Sequence, residues 1–252
     1  MRKIVFVLIV FVLPFALCAQ TVYKFNSGLI ADSVHHYGRE AAVYDQIAYQ
    51  LSRGILKRPQ VGETLYMDDE GDMIQWQTIE ADSAGRFRDR SLGDGYLYLE
   101  YTSDREQMAV LNISRNSMFY VNDVPRGSDL YGDGWMYMPV QLKQGVNEIL
   151  IRGSRFSRWQ GIEAKMIFPE KPVYLIDEDL TVPHVVHDET SGLLWGAIVV
   201  SNGTNKPLEG LSITATLEGK KTVTSLPAVP PMTIRKVGFQ FDPANVREAK
   251  DY

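Results

Sequence analysis

Between residues 73 and 168 the apolar side chains recur at every second position. Met136, Met138 and Val140 alternate with polar or small neighbours, and so do Ile149 and Ile151. A period of two places alternate side chains on opposite faces of an extended chain, as in a half-buried strand. The pattern predicts strands over residues 73–80, 96–102, 107–114, 118–122, 135–142, 148–153 and 163–168, with turn residues between them at short intervals. Many short strands in close succession mean a sandwich or a barrel. The hairpin signal is clearest at Lys143-Gln144-Gly145-Val146-Asn147, where Gly145 supplies a residue tolerant of positive φ.

The period is different over residues 39–56. There Tyr44, Ile47, Ala48, Leu51 and Ile55 recur at three- and four-residue spacing, which predicts one helix packed on a sheet. Gly54 weakens its end and Pro59 stops it. Residues 20–38 are polar and mixed, an entry segment without clear periodicity. Pro169-Glu170-Lys171-Pro172 cannot continue a strand and marks a boundary. A second β pattern follows over residues 173–176, 193–201, 211–217 and 237–241, about the strand count of a small immunoglobulin-like sandwich. The reading is therefore mainly β, with one unit over residues 20–170 and another over residues 171–252. The charged residues 242–252 carry no closing signal: either the chain stops just after its last strand, or the second sandwich is truncated there.

The first 19 residues read as a secretory leader: Arg2 and Lys3 precede an apolar run over residues 4–17, too short to span a bilayer. Small residues Cys18 and Ala19 fit cleavage after Ala19. Lipoprotein processing at Cys18 is the alternative, and Leu17 is a poor neighbour for it. The protein is thus expected in the periplasm or outside the cell, with no membrane span once the leader is removed. Cys18 is the one cysteine, so the mature chain has neither a disulfide nor thiol chemistry. A hydrophobic fraction of 45% over 252 residues supplies an ample core. The formal charge of -5 disfavours nucleic acid and anionic lipid as partners. Asn112-Ile113-Ser114 and Asn202-Gly203-Thr204 match the glycosylation sequon, and in a bacterial envelope protein they are chance matches.

The chain holds no Gly-x-Ser-x-Gly nucleophile elbow, and Ser154 and Ser157 read as loop residues. His184 and His187 lie three apart beside Pro183, where an extended chain points them in opposite directions, and a zinc site needs further ligands. No cofactor is expected. A structural calcium ion is the alternative at the acidic loops of residues 68–72 and 129–134, although neither matches an EF-hand spacing. The stronger chemical signal is aromatic. Trp76, Trp135 and Trp159 occur with Tyr96, Tyr98, Tyr101, Tyr131 and Tyr137. Exposed indoles and phenols stack on the apolar CH faces of pyranose rings, and Arg126, Asp129 and Asp133 stand near enough in sequence to bond hydroxyls. The bland account places those rings in the core. The candidate ligand-binding set is Arg126, Asp129, Tyr131, Asp133, Trp135 and Trp159, for a glycan or a peptide.

The order of several short pieces resembles the N-terminal, non-catalytic region of secreted bacterial serine hydrolases of the prolyl oligopeptidase group. The pieces are Tyr37-Gly38-Arg39, Tyr120-Val121-Asn122, Pro125-Arg126-Gly127, Tyr131-Gly132, Pro139-Val140 and residues 142–148. In the second unit Pro207-Leu208, Pro230-Pro231 and residues 235–239 follow. The resemblance implies a galactose-binding-like jelly-roll sandwich followed by a small immunoglobulin-like sandwich. It also implies that the serine, acid and histidine of catalysis lie in an α/β-hydrolase domain beyond residue 252 or in a separate chain. This chain would then be an accessory region. A stand-alone secreted carbohydrate-binding protein is the other expectation.

Overall fold

In a computed structural model of the chain, the residues described are 21–32, 45–67, 71–185, 192–244 and 246. The leader, His35, His36, His187, Tyr37-Gly38-Arg39, the first part of the expected helix and most of the acidic loop at 68–72 lie outside them. No described helix is long and apolar enough to cross a membrane. The protein is mainly β and divides into two compact units, one over Thr21–Phe168 and one from Pro169 onward.

The first unit contains strands β1 (Thr21–Lys24), β2 (Ser27–Ala31), β3 (Thr64–Met67), β4 (Met73–Gln75), β5 (Gln77–Glu80), β6 (Arg86–Phe87) and β7 (Tyr96–Ser103). They are followed by β8 (Gln107–Ile113), β9 (Asn116–Val121), β10 (Val124–Asp129), β11 (Tyr137–Leu142), β12 (Gly145–Gly153) and β13 (Ile162–Phe168). One antiparallel sheet has the order β1-β13-β8-β11, with β6 also on β13. The other has the order β10-β9-β12-β7-β2-β5. The two sheets form the expected jelly-roll sandwich. Leu97, Leu99, Leu111, Ile113, Phe119, Val140, Ile149 and Ile151 are all fully buried, as the alternation requires.

The six-stranded sheet is covered on its other side as well. Ala31, Tyr96, Tyr98 and Leu150 are buried there under Ile47 of helix α1 (Gln46–Ser52) and under Trp76 of the β3–β4 hairpin. Burial on both faces explains why residues 96–99 of β7 show no exposed position. Asp45 fixes the helix to this face. Its carboxylate accepts from the Ala48 amide at 2.9 Å as an N-cap and from the Tyr96 hydroxyl at 2.7 Å. Gly54, at φ 64°, ends the turn that follows. The expected strand over residues 73–80 is broken at Trp76, which is only 1% exposed. Its amide donates to Glu63 and its carbonyl accepts from Gly62, so the chain leaves the small hairpin there and joins the sheet edge.

Two strands fall in the segment that lacks periodicity. In β2, Gly28 meets the Tyr98 carbonyl and the Leu99 side chain at 2.6 Å from where a Cβ would stand, so only glycine lets β2 lie against β7. The β11–β12 hairpin turns as expected, with Gly145 at φ 92°. Asn147, wholly buried, closes it. The Asn147 amide donates to the Lys143 and Gly145 carbonyls at 2.9 and 3.1 Å, and its oxygen accepts from the Lys143 amide at 2.9 Å and from Asn122 at 3.0 Å. Asn122 in turn accepts from the Glu148 amide. The β9–β10 connection uses Asn122 and Asp123, both at positive φ, the two-residue geometry suited to strand twist.

The second unit holds β14 (Val173–Thr181), β15 (Leu194–Asn202), β16 (Ser212–Leu217), β17 (Lys220–Ser225) and β18 (Thr233–Phe241). The sheet β14-β15-β18 and the hairpin β16-β17 enclose Ile198, Val200, Ala215, Leu217, Val237, Phe239 and Phe241. A buried asparagine again organises the turns: the Asn202 amide reaches the carbonyls of Lys206, Val229 and Pro230, and its oxygen accepts from Thr204. Both sequon asparagines, Asn112 and Asn202, are therefore structural donors rather than accessible acceptors of a glycan.

Replacing Asn147 with alanine leaves several buried amide and carbonyl groups without partners, and each such group costs about 1–3 kcal/mol. Asn147→Ala is expected to lower unfolding stability by about 2–4 kcal/mol in a urea titration. A loss below about 0.5 kcal/mol would show that the hairpin does not depend on this amide.

Candidate functional site

The strand register brings four loops to one end of the first sandwich. Tyr96 pairs with Arg152, Asn116 with Gly153 and with Asp129, Asn112 with Tyr137, Ile113 with Ala164, and Phe87 with Ile162. The connections at residues 88–95, 114–115, 130–136 and 154–161 consequently emerge together. Trp135 and Trp159, 24 positions apart in sequence, both belong to this end.

Arg115 links three of these loops. It is buried and has φ 60°. Its Nε donates to the Gly161 carbonyl at 2.6 Å, and its stem lies where a Cβ on Gly132 would stand, 2.6 Å away. Burial lowers its pKa, with nearby Arg86 adding to the effect. Asp129 secures the loop from the other side. Its carboxylate accepts from the amides of Asp133 at 3.1 Å, Gly134 at 3.0 Å and Arg115 at 3.2 Å. Asn112 adds bonds to the carbonyls of Gly134 and Met136. Asp129 is thus a buried organiser of the loop, with both carboxylate oxygens engaged by backbone amides. Among the described residues, no group of three or more metal-ligating side chains is assembled.

The other sequence candidates divide into two kinds. Arg126 is half-buried and donates to the Pro139 carbonyl at 3.3 Å, and burial lowers its pKa. It sits at an irregularity in the β9–β10 register and bonds to β11 of the other sheet. Tyr131, Trp135 and Trp159 are 73%, 46% and 67% exposed, and Asp133, on the same loop as Tyr131 and Trp135, is exposed too. Trp76, Tyr96 and Tyr98, grouped with them by composition, are buried. Trp159 stands on a single helical turn, α2 (Ser157–Gln160), pinned to the 3-10 turn at Arg90–Leu92. The Ser157 hydroxyl donates to the Leu92 carbonyl at 2.6 Å, and Gly93 receives the Arg158 side chain at a distance no larger residue permits. The Ser154 hydroxyl donates to the Arg115 carbonyl, so both serines are buried structural donors.

A separate open cleft of about 720 Å³ runs beside β2 and β7 in the same unit. Tyr23, Arg58, Glu80, Tyr98 and Glu100 line it. Arg58 grips both oxygens of Glu100. The Tyr98 hydroxyl lies 2.7 Å from both Glu100 and Glu148, one proton between two acceptors. The Arg58 hydrogen bond holds the Glu100 carboxyl below its usual range, and burial first, then both carboxylates, raises the Tyr98 phenol above its ordinary value. Sequence reasoning missed this cleft because Arg58 follows the helix in an unpatterned segment. The cross-strand pairing of Glu100 with Glu148 was the one available signal. It also missed Trp195 of the second unit, exposed across Gly238.

No family model matches the chain, and no curated protein does. Among solved structures it is similar to a family 2 glycoside hydrolase, a β-galacturonidase from Eisenbergiella tayi. The TM-score is 0.35 at 11% identity, over 88% of this chain and 36% of that one. An exo-chitosanase from Amycolatopsis orientalis gives 0.33 at 10% identity, over 88% and 29%. A family 2 member from Bacteroides cellulosilyticus gives 0.32 at 15% identity, over 87% and 31%. The chain spans about a third of each of these chains. These neighbours are glycoside hydrolases, not serine hydrolases, which corrects the resemblance drawn from the short pieces spread over residues 37–241. The physical reason lies in the hairpin chemistry. The turn at Asn122-Asp123 and the Gly145/Asn147 closure are what antiparallel hairpins demand, so they report the sandwich and not a family.

Two outcomes follow from these bonds. Asp129→Ala is expected to speed amide hydrogen exchange at Arg115, Asp133 and Gly134 by at least about tenfold, while the amides of β7 keep their protection. Unchanged exchange at those three amides would contradict the role assigned to the carboxylate. Folding raises the Tyr98 pKa above its ordinary 10.0, so the folded chain holds more protons than the unfolded chain at high pH. The stability that this phenol contributes is therefore fully present below pH 10 and is lost as pH rises beyond it. In alkaline denaturation series, Tyr98→Phe should flatten that fall, and an unchanged slope would rule the phenol out as its source.

Proposed function

We propose that this chain is an exported, non-catalytic binding region whose first sandwich recognises a saccharide at the end bearing Trp135 and Trp159. The carrying observation is that these two indoles and the Tyr131 phenol are exposed on loops that are otherwise tied down, through Arg115, Asp129 and Ser157. An exposed aromatic ring on a fixed loop loses little conformational entropy on binding and offers a flat apolar face to a sugar. The engagement of the Ser154 and Ser157 hydroxyls by carbonyls supports the non-catalytic reading, because neither is poised as a nucleophile. The apolar run at 4–17 supports export. A catalytic domain or chain that this region serves remains part of the proposal.

A glycan array probed with the mature chain tests it. Binding to at least one polysaccharide class is expected, with Trp159→Ala and Trp135→Ala each weakening it about tenfold or more, in line with about 1–3 kcal/mol per lost aromatic anchor. Trp195→Ala should leave it intact. Loss of binding in Trp195→Ala alone would move the site to the second unit, and binding that survives both of the other variants would sink the assignment.

A further inference from the structure

The exposed indole of Trp159 does not stand alone. The Arg90 guanidinium lies 5.7 Å from its ring centroid and that of Arg158 5.5 Å, while Arg155 lies 4.8 Å from the ring of Phe156. All three arginines are exposed. None forms an ion pair with a described residue, whereas Arg58, Arg86, Arg88 and Arg152 of the same unit each sit beside a carboxylate. The neighbouring acid Asp89 turns one carboxylate oxygen to the Ser91 amide, at 2.8 Å, and forms no ion pair with these arginines. The platform is also built rather than incidental. Gly93 and Gly153 leave room for the Arg158 stem and for the Leu92 carbonyl, and Ser157 bonds to that carbonyl.

Two guanidinium groups without an ion pair on one exposed indole, and a third on the ring of Phe156 three residues earlier in the chain, form a local exception on a chain of net charge -5. Screening confines the repulsion of distant acids to roughly 8 Å at physiological salt, so the nearby arginines dominate what reaches Trp159. A guanidinium offers forked donors that match the two oxygens of a carboxylate or of a sulfate ester. We propose that Arg90, Arg155, Arg158 and Trp159 form a subsite for an anionic polysaccharide, with the ring stacked on a sugar and the arginines bonded to its acid groups. This rests on the saccharide-binding reading and specifies its substrate class. The acid group is a carboxylate or a sulfate; both present the same pair of oxygens.

The test is calorimetric titration of the mature chain with matched polymers: alginate oligosaccharide against its carboxyl-reduced neutral form, and dextran sulfate against dextran. At least one anionic member should bind about tenfold or more tighter than its neutral partner, the gain expected of one hydrogen bond to a charged group. Which pair shows the gain distinguishes carboxylate from sulfate. The gain should shrink between low and high salt. Arg90→Gln with Arg158→Gln should abolish the preference for the anionic over the neutral polymer, and Arg158→Lys should recover part of it. Equal binding of charged and neutral polymers would overturn this inference and leave the saccharide-binding reading standing. No binding of either would overturn both. A single-stranded DNA oligonucleotide that binds as tightly as the anionic sugar polymers would reject the sugar as the recognised chemistry.

Discussion

The candidate site depends on one buried node, the meeting of Arg115 and Asp129. Arg115 enters the left-handed region at φ 60°, a conformation unfavourable for a side chain of its size. Contacts on both sides hold it there. Its amide donates to Asp129, its guanidinium donates to Gly161, and its stem fills the space that Gly132 leaves open. Loops from three different strand connections are thereby fixed at one end of the sandwich. Without that node, Trp135 and Trp159 would be two exposed rings with no defined relation. With it, they belong to one surface.

The node is possible because the sandwich beneath it is over-determined. The central strands of the six-stranded sheet are covered on both faces, against the partner sheet on one side and under α1 and the β3–β4 hairpin on the other. Several buried polar groups inside this framework are placed with their partners. Asn147 uses a buried amide to satisfy several turn carbonyls, as Asn202 does within the second unit, and Asp45 both caps the helix and receives the Tyr96 hydroxyl. A buried amide left unpaired costs more than a paired one contributes, so these residues fix the register of their turns. Function can then reside on loops without destabilising the strands that carry them.

The sandwich was legible in the chain because alternation at Met138, Val140, Ile149 and Ile151 reports burial directly. The β2 strand was not legible. Gly28 lowers its strand signal, yet glycine is what the close approach to β7 requires. Trp76 was misleading for a related reason. Its composition suggests a ligand platform, but the second, outer core that buries it forms only when the helix and the small hairpin fold over the sheet. Within the candidate site, the exposure of Trp135, Trp159 and Tyr131 was legible because aromatics on Gly-containing loops have no strand to bury them. The conversion of Asp129 from ligand-binding acid to loop organiser, and the pairing of Arg90 and Arg158 with Trp159, depend on contacts between distant residues. The serine-hydrolase resemblance failed on the same account: turn chemistry that any hairpin needs was read as kinship.

The central claim is that the Arg115-organised end of the first sandwich meets a sugar through its two exposed indoles. Nitrogen-15 spectra of the mature chain resolve the side-chain N–H of each tryptophan, so one titration with a polysaccharide that the chain binds addresses it. The signals of Trp159 and Trp135 should shift together and saturate, while those of buried Trp76 and of Trp195 in the second unit stay in place. Shifts confined to Trp195, or binding that leaves Trp135 and Trp159 unmoved, would contradict the account.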